Sequence, residues 1–300
     1  MNSIKTPKDN IILVPTDFST ASNNAIDHAI EIAELFDNEI TLLYVVEESI
    51  FKSIFGSSME KSVMVDAITK KLNEKAEAIT SKNPKITVNT LVREGKVYKQ
   101  IIDVASTYAC DSIVMGFAGV NGVERFMGST TTRVLKSSEV PVVIIKDVKS
   151  SSHYEKIVLP IDLTKESRQK VDWAVHVGKR YNSEIHVIME VESDEFLMNK
   201  VKASLKQVEG ILAKNGIKHV SKLLDDQEYP EHFGKDIIKY AEEVNADLIM
   251  IMTQKEVGVQ DYLRLGSFAR HVIHESKNIP VMAINPKETV KSYWATESFA

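Results

Sequence analysis

Residues 11–18 read IILVPTDF, and residues 157–163 read IVLPIDL. Each is an apolar, β-branched run that ends in proline and then aspartate. Asp17 and Asp162 stand 145 positions apart (162 − 17). The echo continues in order: SIVMG (112–116) against LIMIMT (248–253), Gly128-Ser129 against Gly266-Ser267, and EVPVVIIK (139–146) against NIPVMAIN (278–285). The Gly-Ser pairs are 138 apart (266 − 128), so the first copy carries seven extra residues between its landmarks (145 − 138). Four landmarks in one order at nearly one offset mark an internal duplication. The polar run Lys149-Ser150-Ser151-Ser152 has the composition of a domain joint. It divides the chain into residues 1–149 and 153–300.

Within the first copy, short apolar runs alternate with helical patterns. The runs at 11–15 and 40–46 read as buried strands. Residues 22–36 carry Ala25, Ala29, Ile32, Ala33 and Phe36 at helix spacing. Helices are expected over 59–80, 97–108 and near 129–138. Residues 86–92 alternate as a half-exposed strand does, and 112–115 and 142–145 supply strands four and five. The second copy repeats this order, with strands near 157–161, 185–191, 218–224, 248–252 and 281–284. The fold class that follows is α/β: two tandem domains, each a five-stranded parallel sheet with helices on both faces. Ligands of such sheets bind beyond the carboxyl ends of the strands, where the strand order reverses. That places the candidate site just after strands one and four.

The bulk properties set outer limits. The 300 residues include 43% hydrophobic and 26% charged, with a net charge of −5 and a pI near 6.0. This balance argues against general binding to nucleic acid or to a membrane surface, which calls for a basic excess. The single cysteine, Cys110, rules out an intrachain disulfide and a cysteine-based metal cluster, and reads as a small buried residue. The polar stretch 1–10 lacks a signal-peptide core. Apolar runs such as 248–252 fall far short of the ~20 residues that span a bilayer. A soluble, cytoplasmic protein is expected.

Chemistry concentrates at the two predicted strand ends. Strand one ends in Pro15-Thr16-Asp17. Strand four runs into GFAGVNGVERFMGST (116–130). Glycines let a backbone approach a phosphate, and a helix N-terminus offers unpaired N–H groups and the positive end of its dipole. Gly116, Gly119, Gly128, Ser129 and Thr130 together form a plausible phosphate cradle. Asp17 would repel phosphate and is better suited to ribose hydroxyls or an adenine amino group. The plainer reading makes Gly116 and Gly119 turn glycines and Ser129 or Thr130 a helix cap. The pattern is neither the P-loop nor the dinucleotide fingerprint. His271 and His274, three apart on the last helix, lack an evident third metal ligand. His28 reads as ordinary helix surface. No nucleophile elbow is present. The tail aromatics Tyr293 and Trp294 are left without a role.

VPTDFS (14–19) ahead of an Ala-rich helix resembles the opening of universal stress proteins, as LLYVVE (42–47) resembles their second strand and EVPVVIIK their last. The family's nucleotide motif is Gly-x-x-Gly, nine residues, then Gly-Ser or Gly-Thr. This chain has eight residues in the gap (120–127). The resemblance spans nearly the whole chain, twice. It implies a Rossmann-type fold like that of the adenine nucleotide alpha hydrolases. It also implies ATP or another adenine nucleotide as ligand, with or without a divalent cation. Pro15, Thr16, Asp17 and the backbone near Val45 would hold adenine or ribose; Gly116, Gly119, Gly128, Ser129 and Thr130 would hold ribose and phosphates. The second copy reads Thr253-Gln254-Lys255-Glu256 where the glycine pair is expected, so the site is assigned to the first copy. The resemblance further implies that Val142–Ile145 pairs with Val281–Ile284 inside one chain as a pseudo-dimer, with pairing between two chains as the alternative.

Three functions remain: an adenine-nucleotide-binding regulator acting on a protein partner whose identity the sequence does not give, a scaffold of the same fold without nucleotide, and a slow ATP hydrolase. Beyond Asp17 no general base or metal-binding carboxylate pair appears, so the chain reads as non-enzymatic.

Overall fold

The computed structural model describes residues 10–47, 58–117, 128–146, 153–224, 233–253, 266–276 and 278–286. In the first half, β1 (Ile11–Pro15), β2 (Glu39–Val46), β3 (Val88–Glu94), β4 (Ser112–Gly116) and β5 (Val142–Ile145) are interleaved with α1 (Thr20–Phe36), α2 (Ser58–Lys82), α3 (Val97–Thr107) and α4 (Ser129–Ser137). The second half repeats this with β6 (Lys156–Pro160), β7 (Glu184–Glu190), β8 (Lys218–Leu224), β9 (Leu248–Met252) and β10 (Val281–Ile284). Its helices are α5 (Lys165–Tyr181), α6 (Glu195–Lys214), α7 (Phe233–Glu243) and α8 (Ser267–Glu275).

Local chemistry sets the element ends. Ser19 and Thr164 cap α1 and α5, each accepting from a backbone N–H three residues on. Asp37 and Asn182 close the same helices in the left-handed region, at φ 56° and 54°. Helix α2 runs to Lys82 and stops before Pro84, which disfavours helix at Asn83. The third strand begins at Val88, two residues later than its alternation suggests. Ile86 is instead a buried plug in the preceding turn, where its N–H donates to Asn83 O at 3.0 Å.

The ten strands form one sheet in the order β3-β2-β1-β4-β5-β10-β9-β6-β7-β8. Every pairing within a half is parallel, and the halves meet at the antiparallel pair β5–β10. Its rungs are Ile144↔Val281, Val143↔Met282 and Val142↔Ala283. Val143 and Met282 are equivalent residues of the two copies, 139 apart like the strands that carry them, so the junction is centred on a pseudo-two-fold axis. Alternate residues of each strand face opposite sides. Ile12, Val14, Val143 and Met282 share one core with α1, α2, α5 and α6; Leu13, Val142, Ile144 and Val281 share the other with α3, α4, α7 and α8. Both cores run through both halves. Among the described residues no helix is long and apolar enough to cross a membrane.

A second seam lies on the α1/α5 side. The rings of Phe36 and Tyr181, equivalents 145 apart, meet edge-on at 4.5 Å. Arg180 lies 4.5 Å over Phe36 and donates to Asn10 Oδ1 at 2.9 Å and Asn38 Oδ1 at 2.8 Å. His28 corrects the sequence reading: it is 3% exposed, and its Nε2 lies 2.7 Å from the buried Tyr154 hydroxyl. It sits three residues after Ala25 and four before Ile32, on the apolar face of α1, and the second half covers that face.

The copies differ inside their cores. Lys170 on α5 occupies the position of Ala25 (170 − 145) and is 3% exposed. Its ammonium donates to Pro160 O. Burial lowers its pKa to about 8, against the raising effect of the Asp162 charge. Below pH 8 the fold therefore holds a buried cation. Between about 8 and the ordinary 10.5, the unfolded chain keeps a proton that the folded chain has lost, so stability rises with pH across that window. Lys170→Met should abolish this rise. Urea unfolding of both proteins from pH 7 to 11 should show wild type gaining on the order of 3 kcal/mol relative to the variant. Parallel curves would show that Lys170 is not buried as a cation.

Candidate functional site

The strand order reverses at β1, which pairs with β2 on one side and with β4 on the other through Ile12↔Ser112 and Leu13↔Ile113. Past Pro15 the chain leaves the sheet. Thr16 N–H makes a last bond to Leu43 O at 2.8 Å. Thr16 is 6% exposed, and its hydroxyl is spent inside the turn: it accepts from Phe18 N–H at 3.1 Å and lies 3.1 Å from Ser22 Oγ. Its side chain builds the turn rather than facing outward. Phe18 takes the left-handed conformation at φ 63°. Its ring stacks on Tyr44 at 5.1 Å, with Lys71 Nζ 4.1 Å from the ring centre.

This tight turn leaves Asp17 exposed at its tip. One carboxylate oxygen accepts from Ser19 N–H at 2.9 Å. Partial burial raises the carboxyl pKa, but hydrogen bonds from Ser19 and Ser22 outweigh it and hold Asp17 below its ordinary range. The group is an anion at neutral pH with acceptor capacity to spare.

Strand β2 outruns β1. The β1 ladder ends at Pro15↔Leu43, while the β3 ladder continues to Val46↔Glu94. In a parallel strand, successive residues send their peptide groups to alternate sides. Val45 therefore points the same way as Leu43, into the space beyond the end of β1.

Gly116 ends β4, and its glycine identity has a steric cause. A Cβ there would lie 2.1 Å from Ala21 O and 2.3 Å from Ala21 C. The first turn of α1 packs directly on it, so packing alone accounts for the missing side chain. Gly119 lies outside the described residues. Gly128 differs: a Cβ would meet nothing within 4 Å. It is itself the N-cap of α4, at φ −55° and ψ 144°, and no side chain caps the helix. This replaces the expectation that Ser129 or Thr130 is the cap. Thr132 N–H is the donor to Gly128 O, at 3.1 Å. The N–H groups of Ser129, Thr130 and Thr131 thus precede the helix's own ladder. Ser129 is exposed, Thr130 half-buried and Thr131 buried, and the first turn holds no acidic residue.

Strand register corrects the alignment of the second copy by one position. Leu248 pairs with Ile157 as Ser112 pairs with Ile12, and Met252 pairs with Ile284 as Gly116 pairs with Ile145. Met252, 2% exposed, therefore stands in the place of Gly116, and Thr253 in the place of Phe117. The turn at Asp162 survives: its carboxylate accepts from Thr164 N–H at 2.8 Å. Glu256 lies outside the described residues. His271 and His274 pack against different neighbours, Gly234 and Phe117. Among the described residues no group of three His, Cys, Asp or Glu side chains could hold a metal ion.

Comparison with known proteins places this geometry. The model of the universal stress protein family matches residues 10–146 and again 153–285. A universal stress protein of Methanocaldococcus jannaschii, MJ0531, is 35% identical over 159 residues, which is 50% of this chain and 91% of that one. A second from the same organism, MJ0577, is 30% identical over 151 residues, 45% of this chain and 93% of that one. The crystal structure of a universal stress protein from Archaeoglobus fulgidus superposes with a TM-score of 0.75 at 23% identity, covering 93% of this chain and all of that one. This last likeness shows the fold.

The two glycines make opposite predictions. Gly116→Ala drives a methyl group into backbone and should cost about 1–3 kcal/mol or more. Gly128→Ala enters open space and should cost less than about 1 kcal/mol. Urea melts of the two variants decide. Equal losses would contradict the steric account of Gly116.

Proposed function

The chain belongs to the universal stress protein family, and we propose that its first domain, within residues 1–149, is a receptor for ATP or another adenine nucleotide, with residues 153–300 as a non-binding partner domain. One observation carries the reading. The turn after β1 presents an exposed anion, Asp17, and the helix that follows β4 opens with an uncapped, non-acidic N-terminus. A ligand suited to both has hydrogen-bond donors at one end and negative charge at the other. A nucleotide has that form. Asp17 takes ribose or adenine donors, and the peptide groups of Val45 border the same space. Gly128, Ser129 and Thr130 receive phosphate through N–H groups, hydroxyls and the helix dipole. Pro15, Thr16 and Gly116 shape this site from beneath, and Gly119 is assigned to it by the sequence motif alone.

The second domain keeps the turn at Asp162 and an uncapped, non-acidic start to α8 at Gly266. Met252 replaces Gly116, however, and Lys170 fills the position of Ala25, and on these two differences the site is assigned to the first domain. The protein acts as a cytoplasmic regulator that a protein partner reads, rather than as an enzyme. The competing reading, a scaffold without ligand, draws on the packing role of Gly116. Slow ATP hydrolysis would register as phosphate release under the same conditions. Titration calorimetry of the intact chain with ATP, with and without a divalent cation, should give a stoichiometry near one. Asp17→Asn should weaken binding roughly tenfold through loss of a charged acceptor. Two equal sites would refute the asymmetry, and no binding by wild type would favour the scaffold.

A further inference from the structure

The two domains hold each other by a reciprocal clasp. The residue after each last strand, Lys146 or Asn285, reaches the carboxyl end of the other domain's last helix. Lys146 Nζ donates to His274 O near the end of α8. Asn285 Nδ2 donates to Ser138 O at the end of α4, at 2.8 Å. Each clasp is also tied to the residue that follows its own domain's fourth strand, Phe117 or Thr253. Thr253 Oγ1 donates to Asn285 Oδ1. On the other side Phe117 N–H donates to Ile145 O at 2.8 Å, and the Lys146 ammonium lies 5.4 Å from the Phe117 ring centre. The Phe117 ring meets the His274 imidazole edge-on at 5.4 Å. Asn24, in the first turns of α1, donates to Lys146 O at 3.3 Å.

Phe117 is thus both the residue next to Gly116 and a direct contact of the second domain. From this we infer that nucleotide in the first domain is sensed in the second at the C-terminal turn of α8, through Phe117 and Lys146. The inference rests on the adenine-nucleotide reading of the first domain and adds its regulation. Phe117 is bonded directly to Gly116, which the proposed site uses, so a ligand that shifts the end of β4 shifts Phe117 with it. The Phe117 ring is packed between a cation and an imidazole, and close-packed groups transmit small shifts instead of absorbing them. Helix α8 carries the shift toward its own N-terminus at Gly266. The second domain then reads the first domain's ligand. Linkage makes the effect mutual, so a partner that grips α8 changes nucleotide affinity.

Hydrogen exchange by mass spectrometry on the full chain, with and without ATP, tests this alongside calorimetry on the same samples. Wild type should bind ATP and show exchange at residues 272–276 slowed by about threefold or more. Lys146→Met should bind ATP within about threefold of wild type and lose that protection. Phe117→Leu, which removes the ring contact without changing charge, should lose it as well. ATP binding with no change at α8 overturns the coupling and leaves the nucleotide site standing. Protection that persists in either variant overturns the route. No ATP binding by wild type overturns the site and the coupling together.

Discussion

The antiparallel pairing of β5 with β10 removes two sheet edges with three rungs. Each domain alone would end in a four-residue strand that is wholly buried here, and an unpaired apolar edge invites association with other chains. Pairing Val143 with Met282 turns two five-stranded sheets into one and aligns the helix layers on both faces. The shared cores, the Phe36–Tyr181 contact and the crossed clasps at Lys146 and Asn285 all depend on it. The edges left exposed, β3 and β8, carry Arg93 and Glu94 in one and Lys218 and Lys222 in the other, which discourages further pairing.

On this symmetric frame the two halves have diverged at corresponding positions. Gly116 admits the first turn of α1, and Met252 fills the same register position with a side chain. Ala25 is small, and Lys170 buries an ammonium under the turn that holds Asp162. Lys146 grips the partner helix with a charge, and Asn285 does so with an amide. Each change leaves the strand order intact. That pattern suits a pair in which one half binds and the other responds.

Much of the architecture was legible in the sequence because apolar periodicity and repetition carry it. The succession of strands and helices along the chain, the duplication and the β5–β10 pairing all follow from runs such as EVPVVIIK and NIPVMAIN and from the resemblance they support, whereas the order of strands across the sheet comes from the structure. What stayed hidden depends on contacts distant in the chain. Gly116 owes its identity to Ala21, 95 residues earlier (116 − 21), and no local pattern distinguishes packing from phosphate approach. His28 is buried by Tyr154 of the other half. In the sequence Thr253 reads as the counterpart of Gly116, whereas the pairing of Met252 with Ile284 sets the true register. Lys170 sits among charged helix residues that otherwise read as solvated. Asp17 was legible as a candidate, but the hydrogen bonds that keep it anionic were not.

A single sheet with continuous cores on both faces should melt as one unit although the chain holds two domains. Differential scanning calorimetry of the intact protein without ligand measures this directly. The structure predicts one transition whose calorimetric and van't Hoff enthalpies agree. Two resolved transitions, or a calorimetric enthalpy about twice the van't Hoff value, would show that the halves unfold independently and that the β5–β10 junction does not unite them.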